Sequence, residues 1–104
     1  MFSLQDIIRT IQKGAYRISD HADEESFSDR LKFEDVAFSV QTGEVIESYP
    51  KDKPFPSCLV YGMTEKHEPV HSVWAYDKNK DASVLVTVYR PDAERWIDFK
   101  RRKI

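Results

Sequence analysis

The sequence predicts an α+β domain in which N-terminal helices pack on one face of a three- to four-stranded antiparallel sheet. Three observations predict it. Apolar residues in the first 43 positions recur at helical spacing. After Gly43 the pattern changes to alternation with β-branched and aromatic enrichment. The segments joining the last strands, "EKHE" and "DKNKD", are only four and five residues long, and connections that short join antiparallel neighbours.

Each element follows from local chemistry. Leu4, Ile7, Ile8 and Ile11 fall at i, i+3, i+4 and i+7, the stripe of an amphipathic helix. Ser3 can cap it, Asp6 suits its positive end, and Gly14 suits a left-handed stop. "AYRIS" (15–19) reads as a short extended connector. A second helix starts at Ser19 or Asp20, and Phe33, Val36, Ala37 and Val40 repeat the helical spacing until "TG" at 42–43. "EVIESY" (44–49) alternates as a strand does, and "PKDKPFP" (50–56) is a loop with three prolines. "SCLVYGMT" (57–64), "PVHSVWAY" (69–76) and "ASVLVTVY" (82–89) complete a meander. Pro91 ends the last strand, and "DAERWIDF" can form a closing turn of helix.

Composition narrows the function. The 104 residues suffice for one domain, 1–104, and 40% of them are hydrophobic, enough for a compact core. No segment approaches the ~20 apolar residues of a membrane span, and "MFSLQDIIRT" turns polar too early for a signal peptide. A single cysteine, Cys58, cannot form an internal disulfide, so a reducing cytoplasm is the expected home. The net charge of −2 does not mark a general nucleic-acid binder. The basic run 100–103, which contains Arg101 and Arg102, is either a solvated end or a phosphate or partner contact.

Two sets of residues can carry chemistry. In "SDHADEESFSDR" (19–30), His21 and Glu25 stand at i and i+4, with Glu24 beside them. This is a metal pair, an acid–base pair, or an acidic helix start that contains a histidine. No second close-set histidine, cysteine cluster or recognised ligand spacing accompanies it, so no metal and no cofactor is assigned. Capping explains the acids and leaves His21 unexplained. Cys58 lies among apolar neighbours that do not lower a thiol pKa, which favours a packed cysteine over a nucleophile.

The second set spans the last two strands. Strict alternation puts His71 with Val73 and Ala75, and Arg90 after Val84, Val86 and Val88, while Tyr89 points the other way. A histidine that moves a proton and an arginine that stabilises developing charge would suit metal-free RNA cleavage by a 2′-hydroxyl. The alternative is a hydrogen-bonded core histidine and a surface arginine.

"ISDHA", "FEDV", "GEVIESYPKDKPFPSCLVYG", "PVHSVWAYD", "VTVYRPD" and "RW" together resemble the family known as domain of unknown function 4258. The resemblance runs from about Ile18 to Trp96. That family is distantly similar to the RelE-like and BrnT-like toxins, small α+β ribonucleases of toxin–antitoxin pairs. The resemblance implies a RelE/BrnT-like fold, an RNA substrate and a zinc-finger antitoxin-like partner, with a homodimer as the other form of association. His21, Tyr49, Ser57, His71, Tyr89, Arg90 and Trp96 occupy matching positions. It makes His21 and His71 candidates for acid and base, Arg90 and Tyr89 phosphate contacts, and Trp96 a core or base-stacking residue. Tyr49 and Ser57 join Arg101 and Arg102 as candidate substrate contacts. Many members place arginines after the histidine–alanine pair where Glu25 and Asp29 stand here. If those arginines meet RNA, the acids reverse the local field. The function expected is a metal-independent toxin-type endoribonuclease, and the alternative is a non-catalytic protein-binding module.

Overall fold

The computed structural model describes residues Met1–Ile104. Three helices, α1 (Leu4–Gln12), α2 (Asp20–Ser28) and α3 (Phe33–Gln41), cover one face of a five-stranded sheet. The strands are β1 (Tyr16–Ile18), β2 (Glu44–Tyr49), β3 (Ser57–Met63), β4 (Pro69–Asp77) and β5 (Ala82–Tyr89), in the order β1-β5-β4-β3-β2. No helix is long and apolar enough to cross a membrane.

The helices begin where their capping chemistry requires. The Ser3 N–H donates to Asp6 Oδ2 at 2.8 Å, and the Ser19 Oγ accepts from the Ala22 N–H at 3.0 Å. Gly14 takes φ +74° to end the first helical unit. The core lies between the layers, where Ile7, Ala22, Val36 and Val40 meet Val60, Trp74, Leu85 and Val88 of the sheet. Helix α3 approaches β3 closely. A Cβ placed on Gly62 of β3 would overlap the Ser39 carbonyl, so glycine sets the helix–sheet distance there.

Two expectations are corrected. The sheet is mixed and five-stranded, because the connector at 16–18 is a parallel edge strand paired with Ser83–Leu85 of β5. Three residues are too few to display strand alternation, and the Tyr16 ring is fixed by stacking on Phe33 at 4.7 Å. The chain after Pro91 forms a small hairpin in place of a helix. Its strands are β6 (Trp96–Ile97) and β7 (Arg101–Arg102), joined by a turn with Asp98 at φ 53° and Phe99 at φ 61°. Those two left-handed residues give the twist of a primed hairpin turn. The hairpin lies over the sheet face that the helices leave open, with Trp96 only 6% exposed beneath it.

Candidate functional site

Strand register builds the site. His71 of β4 pairs with Tyr61 on one side and Tyr89 on the other, so the three side chains share the open face. Strict alternation along β5 would have brought Arg90 to this face. The register shifts where Val73 pairs with Thr87 but Trp74 with Leu85, which leaves Val86 as an extra residue. A one-residue bulge exchanges the faces of everything beyond it. It delivers Tyr89 to His71 and turns Arg90 away.

The His71 side chain is 0% exposed, enclosed by aromatic groups. The Trp96 ring stands edge-on at 4.4 Å, and the Tyr89 ring is centred 5.3 Å away. Nε2 lies 2.6 Å from the Phe99 carbonyl oxygen, and Nδ1 lies 3.1 Å from the Tyr89 hydroxyl. A carbonyl can only accept, so Nε2 carries the proton and Nδ1 accepts from Tyr89 Oη–H. Burial pushes the imidazole pKa below its ordinary value, against the opposing pull of the Phe99 carbonyl and the Glu47 carboxylate. His71 is therefore a neutral ring with one defined acceptor, aimed at Tyr89. Burial also raises the Tyr89 phenol, which keeps its proton.

This assignment predicts a pH dependence of stability. His71 has a folded pKa below its unfolded value, so the unfolded chain binds the proton first as pH falls. Stability should be full above the unfolded value of ~6.5 and decline as pH falls below it toward the lowered folded pKa. Thermal midpoints of wild type and His71→Gln between pH 7.5 and about 5 check this. The wild type should lose stability across the window, and the variant should start lower and stay flat.

A charged latch holds the hairpin down. Arg102 donates to Glu47 through Nε at 2.9 Å and Nη2 at 3.1 Å, and its guanidinium lies 4.8 Å from the Trp96 ring centre. Tyr49 donates its phenol proton to the same Glu47 carboxylate. Burial alone would raise Glu47, but the hydrogen bonds from Arg102 and Tyr49 outweigh it and hold the carboxyl below its usual range. Burial and the neighbouring Glu47 push the Tyr49 phenol up to about 12.

Beside this latch a cleft of about 690 Å³ opens between the end of β5 and the hairpin. Tyr89, Trp96 and Arg102 line it, with Arg90, Arg95 and Lys103 against Asp92 and Glu94. Of its four cations, Arg102 is paired with Glu47 and Arg90 with Glu68. Arg95 and Lys103 make no ion pair within the chain, which leaves them available to an anion.

Of the residues singled out from the sequence, His71, Tyr89, Trp96 and Arg102 meet here, with Tyr49 joined through Glu47. Arg90 lines the rim, but its Nε donates to the Asp29 carbonyl at 2.8 Å and its Nη1 pairs with Glu68 at 3.2 Å. Ser57 is buried and donates to Asp52 at 2.6 Å, where it fixes the proline loop. Arg101 is exposed on β7, outside the cleft lining. Trp96 takes the core alternative, since its buried ring lies under Arg102 and offers no free face to a base. His21 is 65% exposed on α2, 3.2 Å from Glu25 Oε1, and does not line the cleft. Cys58 is buried among apolar neighbours, which push its thiol up to about 12. Sequence reasoning passed over Glu47 and Arg95, and took in Lys103 only as part of the basic run 100–103. The first two stand inside the quoted segments "GEVIESYP" and "RW", but nothing local marks Glu47 as the partner of a residue 55 positions away.

The acids of α2 have a structural task. Beyond Leu85 the outer edge of β5 has no strand beside it, because β1 ends at Ile18. Ser19 N–H donates to the Leu85 carbonyl at 3.0 Å, and Ser19 Oγ–H to the Val86 carbonyl at 3.0 Å. Glu25 Oε1 then accepts from the Val88 N–H at 3.1 Å, and Asp29 Oδ2 from the Arg90 N–H at 2.8 Å. Side chains of α2 thus continue the hydrogen-bond ladder that β1 begins.

The family model described as Domain of unknown function (DUF4258) matches residues 18–90, which include α2, α3, strands β2 to β5, His71 and Tyr89. No curated protein and no solved structure matches.

Proposed function

The chain belongs to the DUF4258 family, and on that premise we propose that it is a metal-independent endoribonuclease of the toxin type, with Tyr89 as the group that meets the substrate. The observation that carries the reading is the Tyr89–His71 pair at the wall of a cleft that also holds Arg95 and Lys103, neither of them in an ion pair. The locked Nε2 tautomer leaves Nδ1 free to take the phenol proton. As the substrate 2′-hydroxyl gives its proton to Tyr89 Oη, the Tyr89 proton passes to Nδ1. The 2′-oxygen attacks phosphorus, the bond from phosphorus to the 5′-oxygen breaks, that oxygen takes a proton from water in the open cleft, and the hydroxide so formed recovers through Tyr89 the proton that His71 holds. The products are a 2′,3′-cyclic phosphate and a 5′-hydroxyl end. Arg95 and Lys103 bind the phosphate, and the imidazolium formed at His71 is stabilised by the Phe99 carbonyl and the nearby Glu47 carboxylate. The distant similarity to RelE-like and BrnT-like toxins that the family resemblance implies is in keeping with this chemistry.

The test is cleavage of single-stranded RNA by purified protein in excess EDTA. Tyr89→Phe keeps the packed ring and removes only the hydroxyl, and it should lower the rate by ~10²-fold or more. Arg95→Ala with Lys103→Ala should weaken binding and flatten its salt dependence. Full activity in Tyr89→Phe would reject the relay. A folded wild type that neither cleaves nor binds RNA would favour the second reading, a non-catalytic protein-binding module, with which the complete enclosure of His71 agrees.

A further inference from the structure

On the helix side of the sheet, away from the cleft, the Phe27 side chain is 87% exposed at the last turn of α2. A single exposed ring is ordinary on a protein surface, but this one adjoins further apolar surface. It stands at the rim of an apolar groove of about 230 Å³ whose lining includes Ile18, Leu31, Phe33, Val36 and Leu85. Val36 and Leu85 belong to the core, so the groove reaches down to it between α2, α3 and β1. Ile18, 36% exposed, forms the opposite wall on the edge strand.

Charge defines what fits. Of the five carboxylates between Asp20 and Asp29, Glu25 and Asp29 are occupied by the β5 edge. Asp20, Asp23 and Glu24 are exposed, and their side chains pair with no cation of the chain. Asp23 itself lines the groove. Helix-dipole complementarity accounts for Asp20 and Asp23 in the first turn but not for Glu24. Three-residue β1 offers too short an edge for strand addition, whereas a groove between the ends of two helices suits a third helix.

We infer that the groove lined by Ile18, Phe27 and Phe33 is a docking surface for a basic amphipathic helix of a partner protein, whose aliphatic stripe enters between α2 and α3 while its lysines or arginines face Asp20, Asp23 and Glu24. This surface is separate from the cleft and stands whether or not the chain cleaves RNA.

The probe is a synthetic helical peptide of about 14 residues with leucines at i, i+3, i+4 and i+7 and lysines on the flanking positions. It is compared with the same peptide carrying glutamates in place of the lysines, and with one carrying serines in place of the leucines. Amide chemical-shift mapping on the full chain reads the site, and a titration reads the affinity. The expected result is saturable binding of the lysine–leucine peptide alone, with shifts centred on Ile18, Phe27 and Leu31. Phe27→Ser, a change at an exposed position that leaves the core intact, should weaken it at least about tenfold, which is ~1.4 kcal/mol. Asp23→Lys with Glu24→Lys should weaken it as well and admit the glutamate peptide. No binding, shifts centred on the hairpin cleft, or equal binding of both charge versions would overturn the proposal. So would a concentration-dependent dimer of the wild type that Phe27→Ser abolishes, since the groove would then serve a second copy.

Discussion

Replacing Gly62 with alanine should destabilise the fold by about 3 kcal/mol or more, the upper range for overpacking. The added Cβ would meet the Ser39 carbonyl, carbonyl carbon and Cα, all backbone of α3. Backbone cannot rotate away as a long side chain can, so α3 must lift from β3 as a unit. Lifting it opens the contact of Val36 and Val40 with Val60, in the centre of the core. Gly14→Ala is the internal comparison. Gly14 has φ +74° and no neighbour within 4 Å of its would-be Cβ, so that change brings only left-handed strain, about 1–2 kcal/mol. Urea denaturation of the three proteins separates the effects. If Gly62→Ala is no worse than Gly14→Ala, the close approach of α3 to β3 is not what fixes the layer spacing.

The double substitution Glu25→Arg with Asp29→Arg should move stability and anion affinity in opposite directions. The family resemblance implies arginine at both positions, and an arginine side chain cannot accept a hydrogen bond. The Val88 and Arg90 N–H groups would lose their acceptors, at about 1–2 kcal/mol each for partly buried donors. The same change adds four units of positive charge on α2, beside the strand that carries Tyr89 and Arg90. Binding to a short RNA at low salt should tighten, and its salt slope should steepen. Glu25→Gln with Asp29→Asn keeps an acceptor oxygen at each site and should lose far less stability. Thermal melts and RNA titrations across the three proteins check both parts. A double arginine variant as stable as wild type would show that the β5 edge does not depend on these carboxylates.

Much of the fold could be read along the chain because its causes are local. Ser3, Ser19 and the apolar spacing fix the helices, and β-branched runs between short turns fix the meander of β3, β4 and β5. The parallel strand at 16–18 was not legible, since its partner is Ser83–Leu85, 67 positions further along the chain (from Tyr16 to Ser83). Nor was the hairpin after Pro91. Acidic and helix-forming residues at 92–95 favour a helical turn locally, and it is the burial of Trp96 against His71, with the Arg102–Glu47 pair and the His71–Phe99 hydrogen bond, that draws the segment over the sheet.

The candidate site divides in the same way. The sequence by itself determined that His71 and Tyr89 lie on neighbouring strands and that α2 begins with acids, because residue type and short-range spacing decide those matters. The tertiary structure alone decided which face each strand residue takes. A single extra residue at Val86 reverses the alternation of β5, and a bulge arises from pairing between strands, not from any property of one strand. It also decided what the acids do: the end of β1 at Ile18 leaves β5 donors without partners, and Glu25 and Asp29 are the acceptors the packed helix brings to them. Hydrogen bonds between groups more than 60 positions apart are set by how the layers pack, which no local pattern encodes.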